Sequence, residues 1–301
     1  MKNIYFFLIA FSLLACQEKK SKTEINTDSV ESGKIKNQEF EKSTIDFKFT
    51  EGPAVDANGN VYFTDIPEQK IWIWTTDNQI KIFRENSGGA NGLYFDKDQN
   101  LWACEGREGQ VSKTSPDGDY KVIASSFMGK SFNQPNDIWT DGKGGAYFTD
   151  PEYNETLKLP QGGMHVYYIK PNQEVIRVCS DLVRPNGLIG TPDGKKLYVT
   201  DHGDNKTYSY TIEKDGTLTN KSLFLDVGGD GMTIDQNGSI YLTTTDKKAV
   251  DVFSSEGKMF YSIALPEKPS NVCFGGKKRD ELFITARTSI YKVKVDAVGV
   301  N

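Results

Sequence analysis

The sequence predicts an all-β fold of the six-bladed β-propeller class, and three observations carry the prediction. One strand pattern recurs six times: V-Y-F-T-D (61–65), L-W-A-C-E (101–105), A-Y-F-T-D (146–150), L-Y-V-T-D (197–201), I-Y-L-T-T (240–244) and L-F-I-T-A (282–286). Successive copies start 40, 45, 51, 43 and 42 residues apart, the period expected of blades built from several short strands. Each copy follows a turn: Asn58-Gly59, Asp98-Gln99-Asn100, Asp141-Gly142, Asp193-Gly194, Asn237-Gly238 and Lys277-Lys278.

Taken in chain order, residues 1–15 read as a signal peptide. Lys2 precedes an apolar run from Ile4 to Leu14 that is too short for a permanent membrane span. The run ends in Leu13-Leu14-Ala15-Cys16, which resembles a bacterial lipoprotein signal with Cys16 as the lipidated residue; an ordinary secretory signal that contains a cysteine is the alternative. Residues 16–42 are polar and mixed in charge, and are expected to form a flexible tether. The expected location is the bacterial cell envelope, periplasmic or surface-exposed, with the membrane reached through this anchor only. The propeller is expected over 43–301. Within each unit a short apolar strand precedes the repeated one and alternating stretches follow it, as in Ile71-Trp72-Ile73-Trp74 and Ile80-Lys81-Ile82-Phe83. Residues 45–49 are expected to complete the last blade.

Composition narrows the chemistry. The 36 Lys and Arg against 41 Asp and Glu leave a net charge of -5, which argues against a nucleic-acid partner. Only His165 and His202 are present, so imidazole-rich metal sites are excluded. His165 sits in a strand pattern and reads as structural. Cys104, Cys179 and Cys273 are an odd number at wide spacing, which argues against a disulfide framework. There is no G-x-S-x-G elbow, P-loop or H-E-x-x-H.

A second pattern lies inside the first. One polar residue opens the strand before each repeated strand: Glu51, Asn91, Asn136, Asn186, Asp230 and Asn271, at offsets of 10, 10, 10, 11, 10 and 11. In a propeller the first strand of every blade lines the central channel, so these side chains converge on the axis. Two carboxylates with several amides suit one hard divalent cation, Ca²⁺ first, with Mg²⁺, Mn²⁺ or Zn²⁺ as alternatives. Asn91 and Asn271 are the ones to spare. The competing reading is that Asn91-Gly92, Asn186-Gly187 and Asp230-Gly231 are ordinary turn formers, although the hairpin turns are already accounted for at the other end of these strands. The loops after the repeated strands should return to the same face, carrying Asp65, Glu105-Gly106-Arg107, Asp150-Pro151-Glu152-Tyr153 and Asp201-His202-Gly203-Asp204, an acidic rim with one Arg and one His. Arg107 is either a substrate contact or the partner of Glu105 or Glu108. His202 is either an exposed loop residue or a proton shuttle.

E-G-P (51–53), A-N-G-L (90–93), C-E-G (104–106), Q-P-N-D (134–137), Y-F-T-D-P-E-Y (147–153), R-P-N-G-L (184–188), D-G-M-x-I-D (230–235) and L-F-I-T-A (282–286) come in the order seen in gluconolactonases. Residues 43–296 therefore resemble the gluconolactonase/regucalcin family of sugar-lactone hydrolases. The resemblance implies a six-bladed propeller with an axial divalent cation held by Glu51, Asn186 and Asp230, with Asn136 as ligand or substrate contact. It also implies Asp230 as general base, and Gln134 where regucalcin-like members carry a substrate-binding arginine. Two departures stand out: Gly106-Arg107 where bacterial relatives often have His-Gly, and Gly229 where they have proline. The expected substrate contacts are thus Asn91, Glu105, Arg107, Gln134, Asn136, Asp150 and His202. The expected activity is metal-dependent hydrolysis of a sugar lactone by a monomer. Alternatives are phosphotriester hydrolysis on the same metal site and a non-catalytic tethered propeller.

Overall fold

The computed structural model describes Met1 and residues 39–244 and 246–300. The expected signal peptide beyond Met1, Cys16 and the tether up to residue 38 lie outside the described residues. Those described contain strands, turns and no helix, arranged as six four-stranded antiparallel sheets. Their first strands are Thr50–Val55, Ala90–Phe95, Ile138–Thr140, Pro185–Gly190, Gly229–Ile234 and Asn271–Gly275. First strands of successive blades contact one another, and the sixth contacts the first. The fold is a closed six-bladed β-propeller, as the repeats predict.

Burial explains why the repeated strand is the legible one. As the second strand of its blade it is flanked by neighbouring blades on both faces, so Leu101–Glu105 and Ala146–Asp150 are buried throughout. A strand buried on both faces reads as a continuous apolar run. Outermost strands such as Ile80–Glu85 and Tyr120–Ala124 are largely exposed, and their pattern is weaker. In four of the blades the turn opening the repeated strand is set by an aspartate whose carboxylate accepts two backbone N–H groups. Asp56 takes those of Asn58 and Asn60, and Asp235 those of Asn237 and Ser239.

Ring closure differs from the expectation. The last blade is completed by Glu41–Lys42, paired with Lys292 and Tyr291, two residues that the sequence reading places in the tether. Residues 45–49 form no strand. Phe47 plugs the outer core instead, edge-on to Phe63 at 5.2 Å and Trp72 at 5.4 Å. A short hairpin, Ser126–Phe127 with Lys130–Ser131, stands outside the six blades.

Candidate functional site

The strand openers reach the axis through a local irregularity. The pairing of first and second strands slips between Glu51 and Ala54, Ala90 and Leu93, Pro185 and Leu188, and Gly229 and Met232. Bulges of this kind re-aim a side chain; here they turn Glu51, Asn91, Asn186 and Asp230 inward. The glycine that follows each opener is there for close approach, since no hairpin turn lies at this end. A Cβ on Gly52 would sit 2.0 Å from the Asn91 carbonyl oxygen, one on Gly187 2.2 Å from that of Asp230, and one on Gly231 2.0 Å from the Asn271 side chain. The sixth blade pairs Asn271 with Thr285 without a slip. Asn271 accordingly lies one layer deeper, in a cavity of about 30 Å³ shared with Asp137.

Five openers, Glu51, Asn91, Asn136, Asn186 and Asp230, line one cavity of about 420 Å³. Phe49, Ile66, Pro135 and Tyr153 supply apolar wall, and Arg107, Gln134 and His202 stand around it. Asn186 donates from Nδ2 to Asp230 Oδ1 at 2.7 Å and to the Tyr153 hydroxyl at 2.5 Å. No hydrogen bond to Asn186 Oδ1 is found among the described residues. Glu51 Oε2 accepts the N–H of Gly52 at 2.9 Å. Burial, reinforced by the charges of Asp230 and Asp137, pushes the Glu51 carboxyl well above the usual carboxylate range. Burial also raises Asp230, against the opposing pull of His202, the Asn186 hydrogen bond, Lys268 and Arg287. Asp137, beneath them, is pushed up to about 7 by burial.

The rim is not the acidic surface that the sequence suggests. Glu105 and Asp150, expected to touch substrate, do not line the cavity. Glu105 is buried and accepts from Arg84 at 2.7 Å, Gln110 at 2.7 Å, Ser112 at 2.5 Å and Tyr120 at 2.9 Å. Asp150 accepts the N–H of Asn133 at 3.0 Å. Asp65 and Asp201 do the same for the backbones of Lys48 and Phe49, and of Val183 and Arg184. In these three blades the aspartate closing the repeated strand is thus a clamp on the loop entering its blade, giving an otherwise unpaired backbone donor its acceptor. Arg107 is exposed and paired with neither Glu105 nor Glu108; it joins the cavity lining. His202 lines the cavity edge-on to Tyr153, with Nδ1 buried and unbonded. Tyr153 comes from the rim loop that the sequence places at this face. Asp137 is the contributor that the opener pattern does not reveal; it follows an opener where four other blades have glycine.

These donors fit one divalent cation. Glu51 is buried and Asp230 half-buried on the wall of one cavity, and no Lys or Arg among the described residues forms an ion pair with either. Burying unpaired carboxylates is costly, and cation coordination is one way to relieve it. Among the described residues no three His, Cys, Asp or Glu side chains group as a metal site, so amide oxygens from Asn136 and Asn186 are needed to complete a cage.

Comparison with known proteins agrees with this architecture. The chain is 29% identical over 290 residues to the gluconolactonase of Zymomonas mobilis, covering 84% of this chain and 80% of that one. A crystal structure of a candidate gluconolactonase superposes with a TM-score of 0.80 at 28% identity, over 87% of this chain and 94% of that one. A gluconolactonase from Xanthomonas campestris superposes with a TM-score of 0.76 at 25% identity, over 83% and 86%. Residues 49–288 match the SMP-30/Gluconolactonase/LRE-like region, from the wall residue Phe49 to the last blade, and the chain belongs to that family.

Proposed function

We propose that the chain hydrolyses a sugar lactone in the axial cavity, with one divalent cation, Ca²⁺ by preference, held by Glu51, Asn136, Asn186 and Asp230. The observation that carries this reading is the pair of ion-unpaired carboxylates beside amides on the wall of one cavity, in a chain 29% identical to a gluconolactonase. When bound, such a cation polarises the lactone carbonyl and stabilises the charge that develops on its oxygen. Asp230 is the residue placed to take the proton of the attacking water. Asn186 fixes Asp230 Oδ1 through its 2.7 Å bond, which leaves Oδ2 for the water. Phe49, Ile66, Pro135 and Tyr153 give the sugar ring an apolar wall, while Asn91 and Gln134 supply polar contacts for hydroxyls. A second role for Asp230, as a ligand alone, predicts a different outcome for its amide variant.

The decisive measurement is lactone hydrolysis by pH-stat after chelation and after Ca²⁺ add-back. Chelation should abolish turnover and Ca²⁺ should restore it. Asp230→Asn that keeps its metal but loses about 10²-fold or more in kcat supports the base role. The same variant losing its metal supports ligation only. Failure of the metal-loaded chain to open any aldono- or uronolactone would sink the reading.

A further inference from the structure

We infer that the lactone carries a second group that is anionic, a carboxylate or a phosphate, and that Arg107 is the residue that binds it. The inference rests on the lactonase reading and adds the charge class of the substrate.

The polarity of the cavity carries it. Among the lining residues the carboxylates are Glu51, buried, and Asp230, half-buried, and the exposed charged side chain is Arg107. Of the acids around the mouth, Asp65, Asp150 and Asp201 are engaged with backbone N–H groups and Glu105 with Arg84, while Glu108, beside Arg107 in the chain, forms no ion pair with it. Arg107 is exposed and forms no ion pair among the described residues. Other arginines are engaged: Arg84 with Glu105 at 2.7 Å, Arg184 with Glu155 at 3.2 Å, and Arg279 with the Asp56 carbonyl at 2.7 Å. Arg287 adds positive charge beside the mouth, its guanidinium 5.3 Å from the ring centre of the wall residue Phe49.

The backbone beneath Arg107 is fixed. Gly106 N–H bonds the Gly89 carbonyl at 3.1 Å, and a Cβ on Gly89 would lie 2.8 Å from the Arg107 Cβ. Gly106 presents no side chain, and a Cβ there would lie 3.4 Å from the Pro135 carbonyl oxygen and 3.8 Å from the Gln134 Cβ, so Arg107 and Gln134 line the same wall on either side of it. A guanidinium with a free planar fork matches a carboxylate or phosphate in two parallel hydrogen bonds. The cavity carboxylates repel an anionic group and Arg107 attracts it, so the charged end of the substrate points outward and the ring carbonyl inward.

The test measures kcat/KM of the Ca²⁺-loaded full chain for glucono-1,5-lactone, its 6-phosphate, and glucaro-1,4-lactone, which carries a terminal carboxylate. Wild type, Arg107→Gln and Arg107→Lys are compared at low and high salt, alongside calorimetric binding of the neutral and carboxylated lactams. One charged lactone should exceed the neutral one by roughly tenfold or more, as expected for a charge-assisted pair. Whichever anion gains most identifies the group. In Arg107→Gln that ratio should collapse by a similar factor, and Arg107→Lys should restore part of it. High salt should shrink it. Equal values for neutral and charged lactones, or a ratio that Arg107→Gln leaves in place, overturns the inference and leaves the lactonase reading standing. Absence of turnover with all three lactones overturns both.

Discussion

Glu51 and Asp230 line one cavity with no lysine or arginine bonded to either, and their protonation couples the site to stability. Burial raises both carboxyls, and Asp137 is pushed up to about 7. A carboxyl whose folded pKa lies above its unfolded value binds protons more tightly in the native state. For Asp137 the resulting contribution to stability is present below about pH 4 and lost as pH rises through about 7, and Glu51 and Asp230 act in the same direction. The metal-free chain should melt lower at about pH 7.5 than at about pH 5, and Ca²⁺ should raise the melting temperature more at the higher pH, where the ligands are ionised. Differential scanning calorimetry with and without chelator checks this; parallel pH curves would contradict it. The placement of Glu51, Asn91, Asn136, Asn186 and Asp230 was legible because each recurs at a fixed distance from the repeated strand. The fate of Glu105 and Asp150 was not, because a carboxylate in a loop reads alike whether it meets solvent or a backbone amide.

At the scale of the strand, the site depends on bulges and on glycines that have no room for a side chain. Gly231→Ala would drive a methyl against the Asn271 side chain, and Gly187→Ala would drive one to 2.2 Å from the Asp230 carbonyl oxygen. In the second case backbone must move, so a loss of about 3 kcal/mol is expected from overpacking, with weaker Ca²⁺ binding. Chemical denaturation and metal titration measure the two effects. The Asn-Gly and Asp-Gly pairs are ambiguous in one dimension, since glycine serves turns and close approach alike. The loop clamps make a second prediction. Asp201→Ala strips the acceptor from the N–H groups of Val183 and Arg184, which precede the cavity residue Asn186. A cost of about 1–3 kcal/mol is expected, with KM raised more than kcat is lowered.

Over the whole molecule, the ring is held shut between the first and last blades. Thr50 lies at the seam: its N–H bonds the Arg287 carbonyl at 2.7 Å, its hydroxyl the Ser289 carbonyl at 2.7 Å, and its carbonyl accepts from the Ser270 hydroxyl at 2.7 Å. Glu41–Lys42 adds the outer strand of the sixth blade. Thr50→Val keeps the shape and removes the hydroxyl, leaving a buried carbonyl less well satisfied. It should cost about 1–3 kcal/mol and, because Glu51 is the next residue, should also weaken Ca²⁺ binding. An unchanged melting temperature would show that closure rests on packing alone. The six repeats were readable because every blade solves the same burial problem. The closing strand was misplaced by a few residues because two exposed residues at an edge carry no apolar signal.

By itself the sequence determined the number of blades, the order of their strands, and the set of polar residues that converge on the axis. Those follow from local rules, since periodic burial, turn chemistry and repetition act along the chain. Only the tertiary structure decided which of those residues share a cavity and what charge surrounds it. Bulges accompany four of the five openers in the site, Asn271 lies below it, and backbone amides or the Arg84 side chain claimed the acids of the rim. Each of these outcomes turns on a partner in another strand or loop of the fold, more than a dozen residues away, and no local pattern records it.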